Sequence, residues 1–241
     1  MSVPPSDDLT WEWREVADDV SVVITTCYVV LESSKPLDPF YHSAPRFVHA
    51  LDDAARESLL SAYSEAFNDA AALAVELGGR DAEATALDLC AAWSHGWPTS
   101  PLVARGVGIG LCPGELERAG FDEYHELDIC LNALPLENDS VHIITLNCGI
   151  PYLTNPSYVC EEAARVLVPG GTFLISFSDH IVAPERATKE WIRWNDGQRV
   201  RAIVGWLKAQ TPSFATIQAA DASPLKGVTN SLILVRATKK R

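Results

Sequence analysis

Basic residues and long apolar runs are both scarce in this chain of 241 residues. Nineteen lysines and arginines stand against thirty-two aspartates and glutamates, which gives a net charge of -13. A field of that sign repels phosphate backbones and anionic lipid, so nucleic acid and membrane partners are disfavoured. The longest apolar run, residues 20–31, contains Ser21, Thr25 and Thr26. It falls short of the roughly 18 apolar residues of a spanning helix.

The cysteine pattern and the acidic N-terminal stretch point to a reducing compartment. The first twenty residues hold six acids and a single basic residue, Arg14, which is the wrong balance for a signal or transit peptide. No Cys-x-x-Cys pair occurs among the six cysteines. We therefore expect a cytoplasmic protein with reduced thiols and no metal site.

Glycine is missing where a ligand-binding loop would need it. Residues 84–89 form a short apolar run broken by Asp88, and the small-residue loop that follows has no glycine before Gly96. Such a run is typical of a buried parallel strand that delivers a loop to a ligand. Loops of this kind usually use glycine so that the backbone can approach the ligand.

Strand and helix patterns alternate from residue 84 onwards. Helices are predicted for 53–77, 113–119, 156–167 and, in two pieces joined near Asp196, 184–210. We expect Arg199 on the exposed face of the last helix and Ile192 on its buried face. Strands are predicted at 84–89, 104–109, 124–129, 141–146, 172–177, 214–219 and 231–235. The order predicts an α/β fold with a seven-stranded, mostly parallel sheet and helices on both faces.

The two ends of the chain receive separate predictions. Only a loop separates the last two strands, so the C-terminal strand is expected to run antiparallel. Residues 1–40 are interpreted as an N-terminal extension, possibly β, and residues 41–241 as one domain. The strand-forming stretch at 11–31 is a possible homodimer contact.

Four segments carry a resemblance to a known family. They are Leu87–Leu89 with its small-residue loop, Val107–Gly110, Leu127–Ile129 with 134–140, and above all 161–175, a helix, a Pro-Gly-Gly turn and an apolar strand. In this element order the chain resembles the class I S-adenosylmethionine-dependent methyltransferases of the methyltransferase-11 type. The resemblance implies a Rossmann-like fold and S-adenosylmethionine as cofactor.

Two departures from the family pattern define a subgroup. The family has glycines where this chain has Cys90, Ala92 and Ser94, and it has a ribose-binding acid where this chain has Gly110. A subgroup with a glycine-poor Asp-Leu-x-small-small-Trp loop, preceded by a Pro-Arg-Phe-Val-His segment, is similar to 88–95 and 45–49. Methyl transfer to a small molecule or a protein is the activity that the resemblance implies. The alternatives are a catalytically silent binding partner and a nicotinamide-dependent oxidoreductase.

Candidate site residues follow from strand ends and from the resemblance. Asp88 is expected to receive the cofactor's amino group, Asp128 and Ile129 the adenine, and Arg46 the carboxylate. His95 is a candidate base, because neutral imidazole is available near pH 7. The other expected cofactor contacts are Cys90, Ala91, Trp93, Gly110, Leu111 and Asn147, with Cys112 or Glu115 as substitutes for the ribose acid. The expected acceptor side comprises Cys148, Ile150 and Tyr152, and a small-molecule substrate is favoured.

Four cysteines stand in equivalent places after successive strands. Cys90, Cys112, Cys130 and Cys148 each follow the end of one predicted strand. Parallel neighbours end at one edge of a sheet, so the four thiols are expected to line a common rim. A row spread over four strands does not converge on one zinc ion, and packing is the preferred interpretation.

Overall fold

The computed structural model describes residues 12–16, 44–98, 103–210 and 213–241, which form one eight-stranded sheet with helices on both faces. The predicted contact at 11–31 and the extension at 1–40 lie outside these ranges, apart from 12–16. The strands are β1 (Arg14–Glu15), β2 (Ala84–Leu89), β3 (Val103–Gly110), β4 (Glu123–Glu126), β5 (Val141–Asn147), β6 (Leu167–Phe177), β7 (Phe214–Asp221) and β8 (Ile233–Lys239). The α-helices are α1 (Asp53–Gly78), α2 (Pro113–Ala119), α3 (Pro156–Val166), α4 (Lys189–Arg193) and α5 (Asp196–Ala209), and a short 3-10 helix spans Ile150–Tyr152.

The sheet order is β1-β7-β8-β6-β5-β2-β3-β4. The pairs β2–β3, β2–β5, β3–β4 and β5–β6 are parallel, whereas β8 runs antiparallel to both β6 and β7. The predicted α/β fold and its antiparallel C-terminal strand are therefore confirmed. The strand count differs by one, because the two-residue β1 adds to the edge of β7.

Each central strand serves two cores because its side chains alternate between the faces of the sheet. Leu87, Ile144 and Ile175 pack in the core beneath α3 and α5. Their neighbours Ala86, Ile143 and Leu174 pack in the second core, beneath α1. Consecutive apolar residues of this kind are the mark of a parallel sheet covered on both faces.

The helix boundaries follow from capping residues in the sequence. The Asp52 side chain accepts a bond from Ala55 N at the start of α1, and Gly79 ends the helix with φ 91°. Asn155 caps α3, and Asn195 with Gln198 forms a capping box on α5. The starts of α1 and α3 agree with the caps predicted from the sequence, whereas the capping box of α5 was not predicted.

Two predictions about the last helical segment are wrong. Arg199 is buried, because its guanidinium donates to the carbonyl of Trp191 and pairs with Asp196. Ile192 is 46% exposed. Two extended residues, Trp194 and Asn195, separate the two helices, so the buried face of one helix does not continue in phase into the other.

A buried ion pair holds the end of α3 to the approach of β5. Arg165 bonds both carboxylate oxygens of Glu162 and donates to the carbonyls of Leu134 and Leu136. The second Glu162 oxygen also accepts from Leu134 N. The pKa of Glu162 is lowered, chiefly by the Arg165 bond. The pair therefore fixes the last turns of α3 against the segment that leads into β5.

Candidate active site

The carboxyl ends of the parallel strands open onto one cavity of about 290 Å³. Its wall is built from the residues that follow β2, β3, β4, β5 and β6, together with the segment that precedes α1. Strands β3 and β5 flank β2 on opposite sides, which is the place where an open α/β sheet binds its ligands. The residues of its wall include Arg46, Cys90, Ala91, Gly110, Leu111, Cys112, Glu115, Asp128, Ile129, Cys130, Asn147, Cys148, Tyr152 and Arg186.

The loop after β2 makes a glycine-like turn without glycine. Cys90 has φ 56°, the left-handed conformation that glycine adopts most easily. Ala91 N then donates to the carbonyl of Ile109, which holds the loop against β3. Across the loop, a Cβ on Gly149 would stand 2.5 Å from Cys90 Cβ. The close approach of the two loops therefore requires a glycine in the loop after β5.

The end of β3 has no room for the family's ribose acid. A Cβ on Gly110 would stand 2.3 Å from the carbonyl oxygen of Ala91, so any side chain there would displace the loop. Glu115 on α2 lies on the same part of the cavity wall, and its Oε1 accepts a bond of 2.7 Å from Arg46 N. Burial raises the pKa of Glu115, against the bond from Arg46.

Asp128 presents a carboxylate to the cavity from a turn, and not from a strand as predicted. Strand β4 ends at Glu126, and the Asp128 carbonyl accepts from Leu131 N and Asn132 N. Its Oδ1 accepts 2.9 Å from Cys130 N. Its Oδ2 is buried and has no hydrogen-bond partner in the described part of the chain. A buried acceptor left without a donor is costly, so this atom marks a place where a ligand donor fits.

Asp88 belongs to a buried polar row under α1 and is not on the cavity wall. Its Oδ1 accepts 2.7 Å from Thr145 Oγ1, which in turn accepts 3.0 Å from Trp97 Nε1. The alternation of β2 turns Asp88 to the same face as Ala86, where Tyr63 of α1 is also buried. Burial raises the pKa of Asp88 to about 7, although the Thr145 bond opposes this.

His95 and Trp97 form an aromatic cluster against β3. The His95 ring accepts from Trp97 N through Nδ1 and lies 4.7 Å from the Trp97 ring and 5.2 Å from that of Phe121. Burial lowers the pKa of His95, so its ring stays neutral. Gly106 and Gly108 have no side chain where the rings of Trp97 and Phe121 touch the strand. The candidate base is therefore a packed residue away from the cavity wall.

Trp93 fastens the segment before α1 and does not line the cavity. Its Nε1 donates 3.1 Å to the Val48 carbonyl, and its ring lies 4.5 Å from that of His49. Arg118 stands over the rings of both Phe47 and Trp93. The two sequence segments that suggested the subgroup are thus in contact, through Trp93 on one side and Phe47, Val48 and His49 on the other.

The four cysteines predicted to share a rim all line the cavity. They are Cys90, Cys112, Cys130 and Cys148, and none is in a disulfide. Burial raises the pKa of Cys90 and Cys130, and raises that of Cys148 to about 12, so these thiols are neutral. Within the described ranges, no group of three or more His, Cys, Asp or Glu side chains is placed to hold a metal ion.

Most, but not all, of the predicted site residues meet in this cavity. Outside its wall are Asp88, Trp93, His95 and Ile150, the last of which is 2% exposed in the core. Sequence reasoning missed Arg186 on the wall and Thr145 behind it. Thr145 had a readable signal, since it shares a face of β5 with buried Ile143, whereas nothing in the sequence singles out Arg186.

A family model matches the part of the chain that forms the centre of the sheet. Residues 87–175 match the family model of a methyltransferase domain. This match confirms the predicted resemblance to the S-adenosylmethionine-dependent methyltransferases, and S-adenosylmethionine is the cofactor that the family implies. The glycine-poor subgroup stays a prediction. No helix in the described ranges is long and apolar enough to cross a membrane.

Two solved structures illustrate the shared fold. One is a chain of the complex between the Haloferax volcanii Trm112 methyltransferase activator and a methyltransferase. Its TM-score is 0.50 and its sequence identity is 17%, and the match covers 78% of this chain and 94% of the other. Another, from Listeria monocytogenes, is described as an S-adenosylmethionine-dependent methyltransferase, with a TM-score of 0.51, 14% identity and coverage of 79% and 100%. At these identities the likeness shows the fold alone.

Proposed function

We propose that this protein is a methyltransferase that moves a methyl group from S-adenosylmethionine to a small-molecule acceptor, a protein being the other acceptor class. The observation that carries the proposal is the carboxylate of Asp128, a residue of the cavity wall whose buried Oδ2 has no hydrogen-bond partner in the described part of the chain. An exocyclic amine is the donor that this acceptor would take from an adenine ring. Ile129 offers the ring an apolar surface in the same wall.

The rest of the wall suits the remaining parts of the cofactor. Glu115 is a carboxylate on the β3 side, where ribose hydroxyls need an acceptor, and Gly110 cannot carry one. Cys90, Ala91 and Asn147 form the part at the ends of β2 and β5, where the methionyl portion would lie. When bound, the cofactor supplies an activated methyl group, so the protein's task is to orient it and to exclude water.

A catalytically silent protein is the second candidate, because the usual glycines are absent from the loop after β2. The turn nevertheless forms without glycine, because Cys90 adopts the left-handed conformation with φ 56°. Neutral thiols at Cys90 and Cys148 would not compete as nucleophiles for an activated methyl group. We favour the active enzyme, in the cytoplasm, and keep a homodimer through 11–31 as an untested prediction.

Calorimetric titration with S-adenosylmethionine, S-adenosylhomocysteine and NAD separates the candidates. We expect heat from both sulfur compounds and none from NAD. Absence of heat from both sulfur compounds at millimolar concentration would defeat the proposal, and binding of NAD alone would favour an oxidoreductase. Binding without turnover over a broad acceptor set would favour the silent protein.

A substitution at Glu115 tests whether this residue binds the ribose hydroxyls. Glu115→Gln keeps the bond from Arg46 N but removes the charge that strengthens bonds to two hydroxyls. We expect S-adenosylhomocysteine to bind about tenfold more weakly, a loss of about 1.4 kcal/mol. Glu117→Gln is the matched control, because Glu117 is exposed on the same helix. Equal affinities in both variants would place the ribose elsewhere.

A further inference from the structure

Asn147, the last residue of β5, brings an amide group to the cavity wall. Its Oδ1 accepts a bond of 2.8 Å from the Oγ of Ser176, the residue paired with it on β6. Ser176 is fully buried, so this contact holds the amide from behind the wall. The amide nitrogen has no partner in the described part of the chain. With its oxygen held by Ser176, the amide has its N–H donors left for a ligand.

Within the described part of the chain, the other nitrogen and oxygen donors among the side chains of the wall already have interaction partners. They belong to Arg46, Tyr152, Thr154 and Arg186. The charge of Arg46, for example, acts on Glu115, where it opposes the rise in pKa that burial causes. An anionic ligand group that enters the cavity therefore meets a side-chain donor without a partner at Asn147.

The position of Asn147 along the sheet matches one end of S-adenosylmethionine. In the order β5-β2-β3-β4, Asn147 ends β5 and Asp128 follows β4. Three strand spacings of about 4.8 Å, or about 14 Å in all, therefore separate the two residues. About thirteen covalent bonds join the adenine amine to the methionyl carboxylate, and a chain that reaches about 3.5 Å per three bonds spans about 15 Å with them. With the amine at Asp128, the carboxylate reaches Asn147.

We propose that Asn147 binds the methionyl carboxylate of S-adenosylmethionine through its amide N–H groups, and that Ser176 is the positioning residue that fixes this orientation of the amide. This inference rests on the proposed function and assigns a residue pair to its site. A carboxylate strengthens the hydrogen bonds that it accepts, because it is ionised. A flipped amide would turn its oxygen towards the carboxylate and repel it, so the bond from Ser176 selects the orientation that binds.

Three ligands and one isosteric substitution test the carboxylate contact on the full chain. S-adenosylhomocysteine carries the carboxylate and the ammonium of the methionyl end, its decarboxylated analogue keeps the ammonium, and methylthioadenosine lacks both. Asn147→Asp keeps an oxygen for Ser176 but replaces the N–H donors by a negative charge. We expect S-adenosylhomocysteine to bind the variant at least about thirtyfold more weakly, and the decarboxylated analogue to bind it as tightly as the wild type or more tightly. The affinity for methylthioadenosine should change by less than about threefold.

The sign of the change decides the inference. Unchanged binding of S-adenosylhomocysteine by Asn147→Asp would overturn it, and so would tighter binding, which would place the ammonium at Asn147. Equal losses for all three ligands would also overturn it, because they would not depend on the carboxylate. Asn138→Asp is the control, since it adds the same charge at an exposed residue and should leave all three affinities unchanged. Failure of the wild type to bind S-adenosylhomocysteine is a different result, because it defeats the proposed function first.

A double-mutant cycle tests the positioning role of Ser176. Ser176→Ala should weaken the binding of S-adenosylhomocysteine about fivefold and that of methylthioadenosine less than about twofold, because the amide can then rotate. In an Asn147→Ala background the same substitution should have no further effect. Ser178→Ala is the matched control, because Ser178 is also buried on this segment but donates to Asp179. A Ser176 effect that persists without the amide, or that Ser178→Ala reproduces, would overturn the positioning role.

Discussion

One tetrapeptide pattern occurs twice in the chain, and the fold gives it two opposite environments. Residues 87–90 read Leu-Asp-Leu-Cys, and residues 127–130 read Leu-Asp-Ile-Cys. Asp88 is buried under α1 and bonded to Thr145, away from the cavity wall. Asp128 lies on the cavity wall with one oxygen bonded to Cys130 N and the other without a partner in the described chain.

The difference arises from where each strand ends. β2 continues through Leu89, so the pleat sends Asp88 to the α1 face and Leu87 and Leu89 to the opposite core. β4 ends at Glu126, so Asp128 begins a turn and caps it with its own side chain. In this fold the acid inside a strand is buried in the core, and the acid that follows the end of a strand lies on the cavity wall.

The largest expected effect concerns Asp88 and its pKa of about 7, raised by burial. Its pKa when unfolded is near 3.8. Between these values the native state holds a proton that the unfolded chain has released, so stability falls as pH rises from about 4 to 7. Asp88→Asn removes this dependence. As pH rises from 4 to 8, the free energy of unfolding of the variant should therefore increase by up to about 4 kcal/mol relative to that of the wild type.

Urea unfolding at a series of pH values measures this gain. Asp81→Asn is the control, since Asp81 is exposed, and its pH dependence should follow that of wild type. The asparagine variant should also bind S-adenosylhomocysteine within about threefold of wild type, because Asp88 does not line the cavity. A loss of thirtyfold or so would restore Asp88 as a ligand and erase the contrast with Asp128.

The next effect is on binding and concerns Asp128. Asp128→Asn keeps an oxygen for Cys130 N but replaces the second acceptor by a donor, which would meet the adenine amine. We expect S-adenosylhomocysteine to bind about thirtyfold more weakly, near 2 kcal/mol, with little change in stability. The analogue of S-adenosylhomocysteine in which inosine replaces adenosine lacks that amine. Its affinities for the wild type and the variant should differ by no more than a few-fold. Equal losses for both ligands would argue against an adenine contact.

A smaller effect should follow from removing the donor that Asp88 has. Thr145→Val keeps the shape but leaves the buried carboxyl and Trp97 Nε1 without their shared partner. We expect a loss of about 1.5 kcal/mol in the free energy of unfolding. The loss should be larger at pH 8 than at pH 5, since the Thr145 bond favours the ionised form of Asp88. A loss independent of pH would show that the bond does not select that form.

Sequence reasoning recovered the fold because its signals are local. Capping residues such as Asp52 and Asn155, and continuous apolar runs along β5 and β6, predict elements whose alternating order is typical of a mostly parallel sheet. Alternation would also have placed Asp88 and Thr145 on one face of the sheet. The prediction that Asp88 binds the cofactor relies on its position near the carboxyl end of β2 and not on the face of the sheet to which its side chain points.

The rest of the site depends on contacts between distant segments. A side chain at position 110 is excluded by the carbonyl of Ala91 in the loop after β2, and Glu115 accepts a bond from the backbone of Arg46, which is 69 residues away. His95 and Trp97 pack on Phe121, and neither their spacing nor their types reveal that cluster. No single-sequence pattern encodes such meetings, so the cavity wall was predicted well only where strand ends alone determine it.

The smallest expected effect compares the two cysteines that close the repeated pattern. Cys90 has φ 56°, whereas Cys130 is not among the residues of positive φ in the described chain. Cysteine in the left-handed region costs about 1 kcal/mol, which glycine avoids. Elsewhere glycine loses about 0.5–1 kcal/mol to alanine, because its unfolded chain is freer. The same entropic cost of glycine opposes the gain at Cys90, so Cys90→Gly should be only about 0.5 kcal/mol more stable than Cys90→Ala, whereas Cys130→Gly should be about 0.5–1 kcal/mol less stable than Cys130→Ala. Chemical unfolding of the four variants measures both differences, and the alanine references cancel the loss of each thiol. If glycine were worse than alanine at both sites, the turn after β2 would tolerate its cysteine without strain, and the two loops would differ only in what their aspartates face.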